Sequence, residues 1–176
     1  MEDPNAGISI QVLDSIIRQN NGIGSAADDD EAAGGGIAIN LPNLSAGAAG
    51  RSSLQVVGSS FEANIAGNGG SNSVLSGQFN EGGGIWTKTP LAVPDTVAGS
   101  VFMNNFGEDR VGVSGGFGGG ASFNGGTVTI TNSTFTNNVG GSNGCNGVGG
   151  AIAANGTELF VDRCNFRNNQ GIDVPD

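Results

Sequence analysis

The chain has 176 residues, of which 34 are glycine, and its 16 Asp and Glu outnumber 6 Lys and Arg for a formal net charge of −10. That balance excludes a nucleic-acid partner as the leading reading, because phosphate neutralisation needs Lys and Arg gathered on one face. No run approaches the roughly 18 apolar residues of a membrane helix, so no direct membrane insertion is expected, and Met1-Glu2-Asp3 does not open a signal peptide. Low charge and abundant glycine also describe flexible linkers. Here, however, Val, Ile, Leu and Phe recur in ordered spacing, which predicts one folded domain over 1–176.

The order appears when the chain is aligned on an apolar anchor followed three positions later by Asn. The first copy runs Ile10, Val12, Ser15, Ile17, Asn20, then a 21–34 insertion, Gly35-Gly36, and Ile37 with Ile39. The second runs Leu54, Val56, Ser59, Phe61, Asn64, an insertion 65–82, Gly83-Gly84, and Ile85 with Thr87. The third has Asp95 in the first apolar place, then Val97, Ser100, Phe102, Asn105, an insertion 106–118, Gly119-Gly120, and Ala121 with Phe123. The fourth runs Val128, Ile130, Ser133, Phe135, Asn138, an insertion 139–148, Gly149-Gly150 and Ala151. The fifth runs Leu159, Val161, Cys164, Phe166 and Asn169, with no glycine pair after it.

Anchor spacings of 44, 41, 33 and 31 residues suit short strands whose corners absorb insertions. They do not suit a helical repeat, in which each added residue rotates every later side chain. Alternating apolar positions are the strand signature. Each repeat therefore reads as three short strands. The first turns its two alternating apolar residues inward, and a bend resets the phase. The second turns in the small residue and the anchor. Asn is assigned to a corner, because it tolerates the left-handed backbone region and its amide bonds neighbouring backbone. The glycine pair returns the chain at close approach to a third strand. A helix over Ile8–Asn20 would serve as a cap, but alignment with the later copies favours strand. The predicted fold class is all-β, a right-handed parallel β-helix of four to five coils with like residues stacked on like. The ladder is Ile17, Phe61, Phe102, Phe135 and Phe166, alongside Asn20, Asn64, Asn105, Asn138 and Asn169.

The FxxN motifs at Phe61, Phe102, Phe135 and Phe166, with GGAI at Gly149-Gly150-Ala151-Ile152, resemble the Gly-rich repeats of chlamydial polymorphic membrane proteins. The resemblance implies a right-handed parallel β-helix on an extracellular surface, as in autotransporter passengers and adhesins. This sequence departs from that pattern in lacking a translocating β-barrel region, and its other Gly-pair motifs read GGIA, GGIW and GGAS.

The same fold class also carries polysaccharide lyases, hydrolases and epimerases, and fold alone does not choose. Uronate proton abstraction needs a tuned base, and glycoside hydrolysis needs two carboxylates at fixed separation. The chain has no His, no Tyr and a single Lys, Lys88, and its Arg residues fall at scattered repeat positions. A fragment of a carbohydrate-active enzyme is the alternative reading, with no catalytic residue assigned.

Asp28-Asp29-Asp30-Glu31 is the densest charge cluster and would suit Ca²⁺, but it lacks the glycine and spacing of an EF-hand loop. A solvated acidic loop is the simpler account, so no cofactor is assigned. The Thr127, Thr129, Thr131, Thr134 run suggests an ice-binding face, yet equivalent positions elsewhere are Gln55 and Val57 or Gln11 and Leu13, so ordinary β-propensity explains it. Trp86 falls on the outward phase, where it would stack on a sugar ring or lie under the 65–82 loop. Cys145 and Cys164 admit one disulfide, and two separate thiols fit equally well.

The expected role is a rigid, non-enzymatic extracellular or cell-surface scaffold for adhesion or assembly, contacting a glycan or a surface protein. The contact edge would carry the insertions, Asp28–Glu31 and Trp86. Open strand edges at both ends of such a stack predict either further coils in a longer protein or end-to-end self-association.

Overall fold

The computed structural model describes residues 8–22, 34–40, 53–66, 80–88, 94–107, 116–141 and 147–171. Among these residues there is no helix, and every strand pairing is parallel. Three sheets carry most of the structure. The first contains Ser9–Leu13, Ser53–Val57, Asp95–Ala98, Thr127–Thr131 and Glu158–Asp162, in that order across the sheet. The second contains the anchor strands Ile16–Arg18, Ser60–Glu62, Val101–Met103, Thr134–Thr136 and Asn165–Arg167, again in sequence order. The third contains Ile37–Asn40, Ile85–Lys88, Ala121–Asn124 and Ile152–Asn155. Each of the first four repeats thus gives one strand to each sheet, the fifth gives one to each of the first two, and each pairs only with the repeats before and after it.

The register follows from which face is buried, because a one-residue slip would turn every inward side chain out. In the first sheet, Val56 stands between Val12 and Val97, and Ile130 between Val97 and Val161. In the second, Phe61 stands between Ile17 and Phe102, and Phe135 between Phe102 and Phe166. Phe61, Phe102 and Phe135 are fully buried, and their rings stack with centroids 4.8 and 4.5 Å apart and planes within 2°. Those distances are close to the ~4.8 Å between hydrogen-bonded strands, so backbone pairing sets the ring spacing. Phe166 closes the stack at 5.2 Å from Phe135, with 47% of its surface exposed, and Ile17 at the other end is half-buried. End anchors have a neighbour on one side only.

The corners differ from the sequence reading in two respects. The ladder Asn does not occupy the left-handed turn. That conformation falls on the residue before it, at Gln19, Ala63, Asn104, Asn137 and Asn168, with φ between 52° and 56°. The ladder Asn turns its side chain inward instead, because its amide has bonding partners there. The second difference is register. Ile152, not Ala151, stands opposite Ala121. Equivalent segments are therefore Gly34-Gly35-Gly36-Ile37, Gly82-Gly83-Gly84-Ile85, Gly118-Gly119-Gly120-Ala121 and Gly149-Gly150-Ala151-Ile152. The unit is three small residues and then an inward one, rather than a glycine pair. The first glycine needs positive φ, 68° at Gly82 for example. The second lies against the backbone four residues past the next repeat's anchor, so a Cβ on Gly119 would overlap the Val139 carbonyl.

Two substitutions test the in/out assignment. Phe135→Ala removes a ring stacked on both faces and is expected to lower unfolding free energy by about 3–5 kcal/mol. Thr134→Ala, on the outward phase of the same strand, is expected to cost under about 1 kcal/mol. Denaturant titration of the two variants checks this, and equal losses would contradict the assignment.

Candidate functional site

The buried polar groups are organised as files rather than as a catalytic constellation. In the asparagine file, each Oδ1 accepts two bonds from the preceding repeat. Asn105 Oδ1 takes the Asn64 backbone N–H at 3.1 Å and an Asn64 Nδ2 hydrogen at 3.0 Å. Each Nδ2 donates one hydrogen back to the preceding anchor carbonyl and one forward. Asn105 Nδ2 thus donates to Phe61 O and to Asn138 Oδ1, both at 3.0 Å. An amide has two donors and two acceptor lone pairs, so Asn105 is fully satisfied although no part of it reaches solvent. The file runs unbroken from Asn20 through Asn64, Asn105 and Asn138 to Asn169.

The serine file is similarly closed. Ser59, Ser100 and Ser133 are buried, and each hydroxyl accepts the backbone N–H of the preceding file member at 3.2 Å. Each also donates to the carbonyl two residues earlier, at 2.9–3.0 Å. Each of these hydroxyls thus has a lone pair and its proton engaged by backbone. Cys164 ends the file, its Sγ 3.5 Å from Ser133 N and 3.3 Å from the Asp162 carbonyl. Cys145, its proposed disulfide partner, lies outside the described residues.

Asp95 is the one buried acid among the described residues. It takes the inward place held by Leu54, Val128 and Leu159 in neighbouring repeats. Its Oδ1 accepts the Leu54 N–H at 2.7 Å, giving that amide a side-chain acceptor where the strand begins. Burial raises its carboxyl from 3.8 to about 6, and the Leu54 bond pulls the other way. Among the described residues no second buried carboxylate accompanies it, and the bond it makes is to a backbone amide.

Of the residues singled out for a contact edge, only Trp86 lies among the described residues. Trp86 is only 2% exposed, so it is buried rather than displayed. The reason lies in its strand: Ile85, Trp86 and Thr87 are all buried, as are Ala121, Ser122 and Phe123 next to them. Period-two alternation assigned Trp86 to the outer face, but that face is covered. Asp28, Asp29, Asp30 and Glu31 lie outside the described residues. Among the described residues no group of three or more His, Cys, Asp or Glu could hold a metal. Arg163 pairs with the adjacent Asp162 at 2.9 Å in solvent, a contact worth little.

What the structure does align is the attachment of the insertions. The chain leaves toward them through Asn21 and Ile65, and through Ile65, Phe106, Val139 and Gln170, which bridge one another in parallel. It re-enters through Asn80–Glu81, Gly116–Phe117 and Gly147–Val148, a three-stranded parallel ribbon. Departure and return points each form a column. The second corner, after Asn40 and Lys88 in the first two repeats, shrinks to Gly125-Gly126 in the third and Gly156-Thr157 in the fourth.

Two measurements follow. Asn105→Leu leaves the buried Asn64 N–H and one Asn64 Nδ2 hydrogen without their acceptor and takes one donor each from the Phe61 carbonyl and Asn138 Oδ1, and should cost at least about 3 kcal/mol. Asn20→Leu at the end of the file should cost less than half as much. For Asp95, folding raises the pKa of an acid, so the folded state holds the proton more tightly. Its contribution is fully present below about pH 4, declines as pH rises to about 6, and is lost above. The difference in unfolding free energy between wild type and Asp95→Asn, measured across pH 4–7, should change by on the order of 2 kcal/mol and level off above the raised value.

Searches against known protein families, curated proteins and solved structures return no match for this chain.

Proposed function

We propose that the chain is a right-handed parallel β-helix and serves as a rigid, non-enzymatic scaffold outside the cell or at its surface, presenting its insertions for adhesion or assembly. The observation that carries this reading is the columnar attachment of the insertions. Parallel strands joined by crossovers wind right-handed in nearly all sheets, and each of the three main sheets takes its strands in repeat order. Wound in that way, the insertions at 21–34, 65–82, 106–118 and 139–148 emerge along one edge. Insertions mapped to one edge are often the binding side of a repeat protein. The FxxN and GGAI resemblance to chlamydial surface repeats supports the extracellular placement. The side-chain chemistry supports a scaffold over an enzyme, since the buried serines and asparagines are consumed by inter-repeat bonds.

The test combines a glycan array with a polysaccharide-degradation screen on the full chain. Binding to a glycan or surface protein without product release is the expected result. Shortening 65–82 to the length of 139–148 should then abolish binding and leave the melting transition within a few degrees of wild type. Release of reducing ends or unsaturated uronate from any polysaccharide would overturn the scaffold reading. Undiminished binding by the shortened chain would move the contact surface off this edge.

A further inference from the structure

Among the described residues both polar files stop with unmet bonds, and the two ends are complementary. At the first repeat, Asn20 Oδ1 accepts no bond from the described residues, whereas Asn64, Asn105, Asn138 and Asn169 Oδ1 each accept two. Ser15 Oγ donates to the Leu13 carbonyl but accepts no N–H, unlike Ser59, Ser100 and Ser133. At the fifth repeat, Asn169 spends one Nδ2 hydrogen on the Phe135 carbonyl and has no onward acceptor for the other among the described residues. The Phe166 carbonyl lacks the Nδ2 donor that Ile17, Phe61, Phe102 and Phe135 receive. Among the described residues, Ser9–Leu13 and Glu158–Asp162 are the edges of their sheet, and Ile16–Arg18 and Asn165–Arg167 the edges of theirs.

We propose that this chain associates head to tail with a second copy of itself, the fifth repeat of one seating on the first repeat of the next. The inference rests on the stacked-coil reading above and extends the coil-to-coil interface already present within the chain. In the joined register, Asn169 N–H and Nδ2 donate to Asn20 Oδ1 of the next copy. That Asn20 donates its remaining Nδ2 hydrogen to the Phe166 carbonyl, and Cys164 N–H meets Ser15 Oγ. Leu159 covers Ile10, Val161 covers Val12, and the half-exposed Phe166 ring covers Ile17, so the apolar columns continue.

Two like ends do not satisfy this geometry. A two-fold that brings like ends together reverses strand direction across the joint, so it cannot reproduce the parallel register that sets Asn on Asn and Phe on Phe. The contact is therefore heterologous, and since its operation is a translation along the stack it does not close. Linear filaments result, with an axial rise of about 24 Å per copy at ~4.8 Å per strand layer. One like-charge pair, Arg167 opposite Arg18, faces across the joint at exposed strand ends. Ionic strength of about 0.15 M screens such charges over ~8 Å.

Sedimentation and negative-stain imaging of the full chain at that ionic strength, over a hundredfold concentration range, test the proposal. The expected result is a concentration-dependent ladder of linear oligomers. Phe166→Lys, at an already half-exposed end position, should hold the chain as a monomer. Ile17→Lys blocks the opposite end and should do the same. An equimolar mixture of the two has one good end of each kind and should give a 1:1 dimer that grows no further. A wild-type monomer throughout, unchanged assembly by Phe166→Lys, or dimers of either variant alone would overturn the proposal. If Ile17→Lys loses its β circular-dichroism signal, the Phe166→Lys arm decides alone. A monomeric wild type with intact β signal and amide protection sinks the pairing and leaves the scaffold reading standing. Loss of that signal in wild type sinks both.

Discussion

Parallel, in-register hydrogen bonding between successive repeats is the constraint on which everything else depends. It sets a strand separation of ~4.8 Å and places each residue beside its equivalent in the next repeat. A column of one residue type is then either very good or very bad. Phenylalanine succeeds because flat rings separated by 4.5–5.2 Å fill the interval between layers. Asparagine succeeds because its amide carries donors and acceptors in equal number and can serve a neighbour on each side. A charged residue in the same column would meet its own charge at every layer, and none of the five inward columns of the first two sheets repeats one.

Asp95 shows how a single departure is accommodated. It interrupts an aliphatic column, but its neighbours there are Leu54 and Val128 rather than further acids, and it takes a backbone N–H in return. The cost of burying its charge appears as a carboxyl that holds its proton to about pH 6. Burying an acid with a partner is tolerable; burying it alone would cost several kcal/mol. The same logic governs the ends. Where an inward column runs out, Phe166 and Val161 at one end are exposed, and Ile10, Val12 and Ile17 at the other are only half-buried. Exposure there is a consequence of having a neighbour on one side only.

The corners have the opposite character. Ladder bonds join residues 44, 41, 33 and 31 apart in sequence with nearly the same geometry. Insertions therefore change length without disturbing the columns, since loop-closure entropy grows only slowly with loop length. A framework fixed by columns and free at its corners can change what it displays without changing what holds it together. This supports the proposed role as a display scaffold more strongly than any single side chain does.

The periodic part of the structure was legible in the sequence. FxxN, the small residue two places earlier and the alternating aliphatics are spaced by strand geometry, and strand geometry is local. Three things were not legible. The left-handed turn falls on Gln19, Ala63, Asn104, Asn137 and Asn168, a column without one residue type, so composition pointed to the neighbouring Asn instead. The glycine unit was misaligned by one residue in the fourth repeat, although the runs GGGI, GGGI, GGGA and GGAI carried the right register; only pairing of Ile152 with Ala121 fixes it. Alternation puts Trp86 on the outward phase, either displayed or covered, and only the structure decides that it is buried. The sequence by itself determined which residues repeat and therefore which can stack. Tertiary structure decided the register between repeats, the burial of the second face and the bonds left unmet at the two ends, because each of these depends on a neighbour distant in the chain.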